Sequence, residues 1–260
     1  MSQPITKIIT NGVATLTLNR PEVFNSFNRE MALQFQDHLD ACEEDDDVRA
    51  IVITGAGKAF CAGQDLKEVT TPELNPGFKK ILEEHYNPII SKIRTIEKPI
   101  VAGVNGVAAG AGANIALACD IVIASEHASF IQAFSKIGLV PDSGGTYLLP
   151  RLIGFQKASA LMMLGDKVSA QEAERLGMVY KVVLAEEFEE TIQNTAITLA
   201  KMPTKALGMT KRLLNYAMTN DLDEQLYNEG KLQIEAAESE DYREGVAAFV
   251  EKRKPNFKGK

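Results

Sequence analysis

Hydrophobic and polar positions change their period along the chain, and the changes mark its elements. Val13-Ala-Thr-Leu-Thr-Leu18 alternates with period two, as does the segment before it, and Asn11-Gly12 between them is a hairpin signal. From Asn28 to about Asp45 the apolar residues Met31, Phe35, Leu39 and Cys42 recur at steps of three and four, which predicts an amphipathic helix. The continuous apolar runs at 50–55, 99–104 and 120–124 are consistent with strands buried in a parallel sheet. A polar loop over 70–77 leads to a second helix at roughly 79–96, which Pro88 is expected to kink or interrupt. Small apolar residues from Gly112 to Ala118 predict a short buried helix. Beyond Thr146 the helical period dominates, over 157–164, 170–176, 186–201 and 204–218, with a lone strand expected at 179–183. The final helices are amphipathic and rich in charge. Strands interleaved with helices, then helices alone, predict an α/β core over 1–200 carrying an α-helical C-terminal region over 201–260. No internal repeat of fixed period and no low-complexity tract interrupts this order.

Composition narrows the class. A chain of 260 residues, 45% hydrophobic and 24% charged, can bury one large core. Its net charge of −7 argues against nucleic acid as a partner, and an anionic ligand would need a local basic patch. The N-terminal run Met1-Ser-Gln-Pro-Ile-Thr-Lys7 lacks the apolar segment of a signal peptide, and no stretch is long and apolar enough to span a bilayer. Cys42, Cys61 and Cys119 sit far apart without paired spacing, which predicts a reduced, cytoplasmic chain with no structural disulfide. His38, His85 and His127 are isolated from other ligand-type residues, so surface positions are expected and no metal site is readable.

Three segments carry candidate chemistry. Gly110-Ala-Gly112 follows a predicted strand and opens a predicted helix, where main-chain N–H groups lack intrahelical partners and can bind a developing oxyanion. A dinucleotide fingerprint is incomplete there, because Ile115 stands where its third glycine belongs and Asp120 comes too soon for the ribose-binding acid. Glycines that merely allow close strand–helix packing would look the same. Ala59-Phe-Cys-Ala-Gly-Gln64 likewise follows a strand, and Cys61, with no His or Lys beside it, reads as a packing residue. The third segment presents a carboxylate, Asp142, on a Pro-Asp-Ser-Gly-Gly turn. Asp142 could be a simple turn or helix-cap residue. The preceding Phe134, Ile137, Leu139 and Val140 would set it against an apolar wall, which raises a carboxylate's pKa toward general acid–base use.

Together these segments resemble the crotonase (enoyl-CoA hydratase/isomerase) superfamily. The likeness runs from Asn19-Arg-Pro-Glu-Val-Phe-Asn-Ser26 through Ala59-Phe-Cys-Ala-Gly-Gln-Asp-Leu66 and Lys98-Pro-Ile-Val-Ala-Gly-Val-Asn-Gly106 to Asp241-Tyr-Arg-Glu-Gly-Val-Ala-Ala-Phe-Val-Glu-Lys-Arg253. The resemblance implies a spiral of ββα turns with a C-terminal helical region that forms trimers, often stacked as hexamers. It implies an acyl-CoA thioester as substrate, coenzyme A entering only as part of that substrate, with no permanently bound cofactor. It places the thioester oxyanion hole on the N–H groups of Gln64 and Ala111, and CoA contacts on Val23, Phe24, Ser26, Ala62, Asp65 and Leu66. Phe249 and Lys252 match positions that meet the CoA of a neighbouring subunit. The segment between Lys67 and Tyr86 is expected to shape the acyl pocket.

Departures from the family pattern select the reaction. Its hydratases use two glutamates, and the matching positions here are Asn114 and Phe134, neither of which transfers a proton at neutral pH. Its dehalogenases pair an aspartate at position 142 with a histidine that matches Asn87, and His85 would lie about 200° away on a helix. One acid/base suffices for isomerisation. Phe134-Ser-Lys-Ile-Gly-Leu-Val-Pro-Asp-Ser-Gly-Gly-Thr-Tyr-Leu-Leu-Pro150 is similar to the members that convert ring 1,2-epoxyphenylacetyl-CoA to oxepin-CoA in phenylacetate degradation. A Δ3–Δ2 enoyl-CoA isomerase is the alternative on the same site, with a one-carboxylate hydratase and a non-catalytic CoA-ester binder behind it. Asn114 is left with a pocket-shaping, ligand-bonding or structural role. Association with an epoxidase would suit a reactive epoxide substrate.

Overall fold

Asn11 and Gly12 have φ of 54° and 76°, the left-handed pair that a tight hairpin turn demands. They join β1 (Ile5–Thr10) to β2 (Val13–Leu18) as an antiparallel pair. The computed structural model describes residues 3–260, so Met1 and Ser2 of the N-terminal run lie outside the described residues. Asn28 caps α1 (Arg29–Glu44) by accepting the Met31 N–H at 3.0 Å, and the helix buries Met31, Phe35, Leu39 and Cys42 as its spacing predicts.

The chain then winds through two sheets. β3 (Ala50–Gly55) enters a first sheet and β4 (Ala59–Cys61) a second, followed by α2 (Leu66–Thr70), α3 (Phe78–Lys80) and α4 (Asn87–Thr95). β5 (Ile100–Val104), β6 (Val107–Ala109) and α5 (Ala111–Ala118) repeat the turn, and β7 (Ile121–Ser125) and β8 (Ser129–Ile131) begin a third. After α6 (Gly145–Ile153) and α7 (Phe155–Leu164) come β9 (Lys167–Ser169), α8 (Ala170–Arg175), β10 (Lys181–Val183) and α9 (Phe188–Ala200). The first sheet has the order β1-β2-β3-β5-β7-β10 and the second β4-β6-β8-β9. α5 is buried along its whole length, at the centre of the spiral.

One expectation is corrected here and one is borne out. The strand near 179–183 is not alone: β10 pairs in parallel with β7 and completes the first sheet. Pro88 interrupts the α-helical run as expected and stands in the first turn of α4. Pro88 has no N–H to give the carbonyl of Glu84, and residues Ile81–Tyr86 widen into a π-helix, with the Asn87 N–H reaching back to Leu82. Gln36 Nε2 donates to the freed Glu84 carbonyl at 2.8 Å.

Beyond α9 the chain is helical, with α10 (Thr204–Tyr216), α11 (Leu222–Ala237) and α12 (Glu240–Glu251). A buried lysine ties α10 to the spiral: Lys211 Nζ lies 2.8 Å from Asp120.

Candidate active site

Two loops bring main-chain donors to one place. Gly63 has φ of 91° and Gly110 φ of 53°, and each turns the amide after it, that of Gln64 and of Ala111, away from the path an L-residue would impose. A Cβ at Gly63 would come within 3.6 Å of the Ala111 nitrogen, so the loops are in contact. Ala111 opens α5, where the first N–H groups lack intrahelical acceptors and the helix end is partially positive. Among the described residues neither amide has a main-chain acceptor. Both residues line a cavity of about 270 Å³ whose wall includes Phe78, Tyr86, Phe134, Ile137 and Leu139.

Asp142 lines the same cavity. Burial pushes its pKa above the ordinary carboxylate value, against the pull of the Ser143 hydroxyl, which donates to Oδ1 at 2.9 Å. The cap of α6 is Gly144 rather than Asp142. Val140, expected in the apolar wall, points to solvent at 80% exposure and does not line the cavity; Phe134, Ile137 and Leu139 do. The chain leaves the short 3₁₀ segment Ala133–Ile137 through Gly138, and beyond it Leu139 and Asp142 line the cavity while Val140 does not.

Asn114 and Phe134 stand at the two positions that the resemblance matches to the hydratases' glutamates. Phe134 is a buried wall residue. Asn114 is fully buried and does not line the cavity; its Nδ2 donates to the main-chain carbonyl of Asp142 at 2.9 Å. Sequence reasoning missed Tyr86, which enters the cavity from the π-helical turn. Its hydroxyl donates to Gln64 Oε1 at 2.9 Å, and Gln64 Nε2 donates to the buried Glu68 at 2.7 Å. Burial holds the Tyr86 phenol well above its ordinary pKa, so it stays a neutral donor. The signal was Pro88 two residues later, the cause of that turn. Lys136 also lines the cavity and was missed.

The predicted CoA positions fall into two groups. Residues 24–27 run beside 62–65: the Ala62 N–H donates to the Phe24 carbonyl at 3.0 Å, Phe27 to Gly63 at 2.7 Å and Asp65 to Phe27 at 2.8 Å. This pairing brings Val23, Phe24, Ser26, Ala62, Asp65 and Leu66 together, and Ala62 and Leu66 reach the cavity. The Asp65 carboxylate is engaged by the Lys67 N–H and by Arg20 Nη2, and the Ser26 hydroxyl donates to the Val23 carbonyl. Phe24 and Leu66 stand exposed at 53% and 62%. Phe249 and Lys252 lie at the end of α12 and line no part of this cavity.

His85, expected at the surface, is buried on the π-helical turn, 3.1 Å from Arg29 Nη1 and outside the cavity. Burial lowers its pKa, so it is neutral there at pH 7. Cys61 is buried, and burial pushes its thiol up to about 12, which leaves it a packing group.

Residues 8–260 match the family model described as enoyl-CoA hydratase/isomerase. The chain is 48% identical to 1,2-epoxyphenylacetyl-CoA isomerase of Escherichia coli K12, with all of both chains covered. A protein of Rhodobacter capsulatus named probable enoyl-CoA hydratase is 43% identical, over 97% of this chain and 96% of the relative. Among solved structures, an enoyl-CoA hydratase from Bacillus anthracis superposes with a TM-score of 0.93 at 33% identity, covering 99% of this chain and 100% of the other.

Proposed function

The chain belongs to the enoyl-CoA hydratase/isomerase family, and from that membership we propose that it isomerises ring 1,2-epoxyphenylacetyl-CoA to oxepin-CoA. One observation carries this reading: two main-chain donors and a single carboxyl group share an apolar cavity, while the two hydratase positions hold Asn114 and Phe134. The thioester oxygen docks on the N–H groups of Gln64 and Ala111, which stabilise the enolate formed at the adjacent carbon. Asp142 takes the α-proton. The ring bond shared with the epoxide opens to a seven-membered ring, and the proton returns to a ring carbon, so the composition of the substrate is unchanged. Apolar walls keep Asp142 a stronger base than a solvated aspartate.

A Δ3–Δ2 enoyl-CoA isomerase reading uses the same three groups and is supported by the same cavity. Hydration has less support, because Asn114 is committed to a main-chain carbonyl and cannot activate water. Incubating the purified protein with epoxyphenylacetyl-CoA, a β,γ-enoyl-CoA and crotonyl-CoA, each beside Asp142→Asn and read by ultraviolet absorbance and mass, tests the assignment. Oxepin-CoA formation that vanishes in the variant is expected. Turnover of the β,γ-enoyl ester alone would move the protein to β-oxidation, and crotonyl-CoA hydration that survives the substitution would overturn the role of Asp142.

The same reading places CoA along the strip from Val23 to Ser26 and from Ala62 to Leu66, with Phe249 and Lys252 meeting the CoA of a neighbouring subunit in a trimer or hexamer. Exposed apolar residues on the last two helices, Ile234, Val246, Phe249 and Val250 among them, suit such an assembly. A spiral core over 1–200 and a helical region over 201–260 are the corresponding units. No helix among the described residues is long and apolar enough to cross a membrane; a cytoplasmic place in phenylacetate breakdown, next to an epoxidase, follows from the substrate.

A further inference from the structure

We propose that Asn114 is a positioning residue for Asp142, with Gln132 fixing the Asn114 amide, so that one turn of α5 sets both the carboxylate and the oxyanion donor. This rests on Asp142 being the acid/base. The Asp142 carbonyl can only accept, so Asn114 must present its Nδ2 there, which leaves Oδ1 facing Gln132. Gln132 Nε2 donates to that oxygen at 2.8 Å, and both side chains are buried. The amide of Asn114 therefore has one permitted orientation. The same Asp142 carbonyl also accepts the Gly145 N–H at 2.9 Å, so the start of α6 and the side chain from α5 converge on one oxygen. A Cβ at Gly145 would collide with the Asn114 amide, so glycine is what lets the two segments approach this closely.

The segment that carries Asp142 belongs to no strand or helix, and Ser143 beside it sits at φ of 51°, a conformation side chains other than glycine rarely take. Its rigidity therefore depends on what holds it. Asn114 stands three residues after Ala111 on the same helix, one turn from the amide that lines the cavity. The bond from Asn114 thus fixes the distance between the proton-transfer group and the oxyanion site. The position that hydratases use for a glutamate serves here to hold another residue's carboxyl group in place.

The test compares Asn114→Leu, which keeps the bulk and loses both hydrogen bonds, with the native protein and with Asp142→Asn, alone and combined. The readout is exchange of the α-proton of a β,γ-enoyl-CoA into deuterated water, followed by mass spectrometry at several substrate concentrations. Asn114→Leu is expected to lower kcat about 100-fold with little change in KM, the scale of loss a misplacement of about 1 Å produces. Added to Asp142→Asn it should cost nothing further, because its effect passes through that carboxyl group. Equal losses in both backgrounds, or a native kcat in Asn114→Leu while Asp142→Asn is inactive, would overturn the proposal and leave the role of Asp142 standing. Native exchange by Asp142→Asn would instead overturn the functional reading itself, and this proposal with it. Should Asn114→Leu not fold, Gln132→Met removes the donor that anchors Asn114 Oδ1, loosening the amide, and should lower kcat about 10-fold, the worth of one hydrogen bond; an unchanged kcat there would likewise overturn it.

Discussion

The two sides of the site are built from different material. On one side the Gln64 and Ala111 donors are main-chain groups, set by Gly63 and Gly110 on loops that follow β4 and β6. On the other side Asp142 is a side chain on an unpaired turn, held through its carbonyl by Asn114 and the Gly145 N–H. The first side is fixed by chain direction and sheet register, and no substitution at 64 or 111 other than proline removes its donors. The second depends on a few side chains, any of which can be deleted. On the proposed reading, precision at the oxyanion comes from the fold, whereas precision at the proton comes from local hydrogen bonds.

The sharpest way to break that contrast is to delete the carboxylate. Asp142→Asn should lower kcat by about 10²–10⁴, the usual worth of a positioned general acid–base, with KM for the CoA ester little changed; a comparable rise in KM would mean that Asp142 binds rather than reacts. The main-chain side needs a different tool. Ala111→Pro removes the N–H at the first position of α5, where proline is tolerated, so the fold should survive by circular dichroism. The loss of one donor should lower kcat by about 10²–10³, equivalent to roughly 3 kcal/mol, and an unaffected rate would exclude Ala111 from the oxyanion site. Tyr86→Phe tests whether the Gln64 loop is held by side chains after all. It removes only the bond to Gln64 Oε1, so kcat should drop about 10-fold or less, with a matching decrease in thermal stability.

The same division explains what could be read from the sequence. The hairpin at Asn11-Gly12, the α1 stripe and the buried strands were legible because each has a local period or a turn residue with one conformational meaning. That Gln64 and Ala111 would lie at one cavity was legible through the glycines before them and through the family motif. The second sheet was not, because β4, β6, β8 and β9 have three residues each, too few to show a period. Tyr86 was hidden because a π-helical turn rotates side chains off the α-helical face that spacing assumes, and the same shift buried His85. Asn114 could be read as a departure from the hydratases, but its partner lies 28 residues on, and a side-chain bond to a distant carbonyl leaves no pattern in sequence.

The smallest effect concerns pH, and its sign follows from the cause of the shift at Asp142. Burial disfavours the charged carboxylate, and the Ser143 hydroxyl, bonded to Oδ1, favours it. As a base Asp142 acts only when ionised, so the acid limb of kcat/KM should lie above its ordinary value of 3.8. Ser143→Ala deletes the favourable bond and should move that limb further toward neutral pH, with little change in the plateau rate. A limb that moves down, or stays fixed, would mean that another group titrates. Stability should respond in the complementary sense. A raised carboxyl pKa contributes stability that is present at low pH and lost as pH rises through the folded value. Asp142→Asn lacks that loss, so its melting temperature should exceed the native one at neutral pH and converge with it below pH 3.8. Because the proposed oxyanion donors are main-chain N–H groups, which do not titrate, Ala111→Pro should leave the acid limb where it is. The two sides of the site are thereby separable by pH alone.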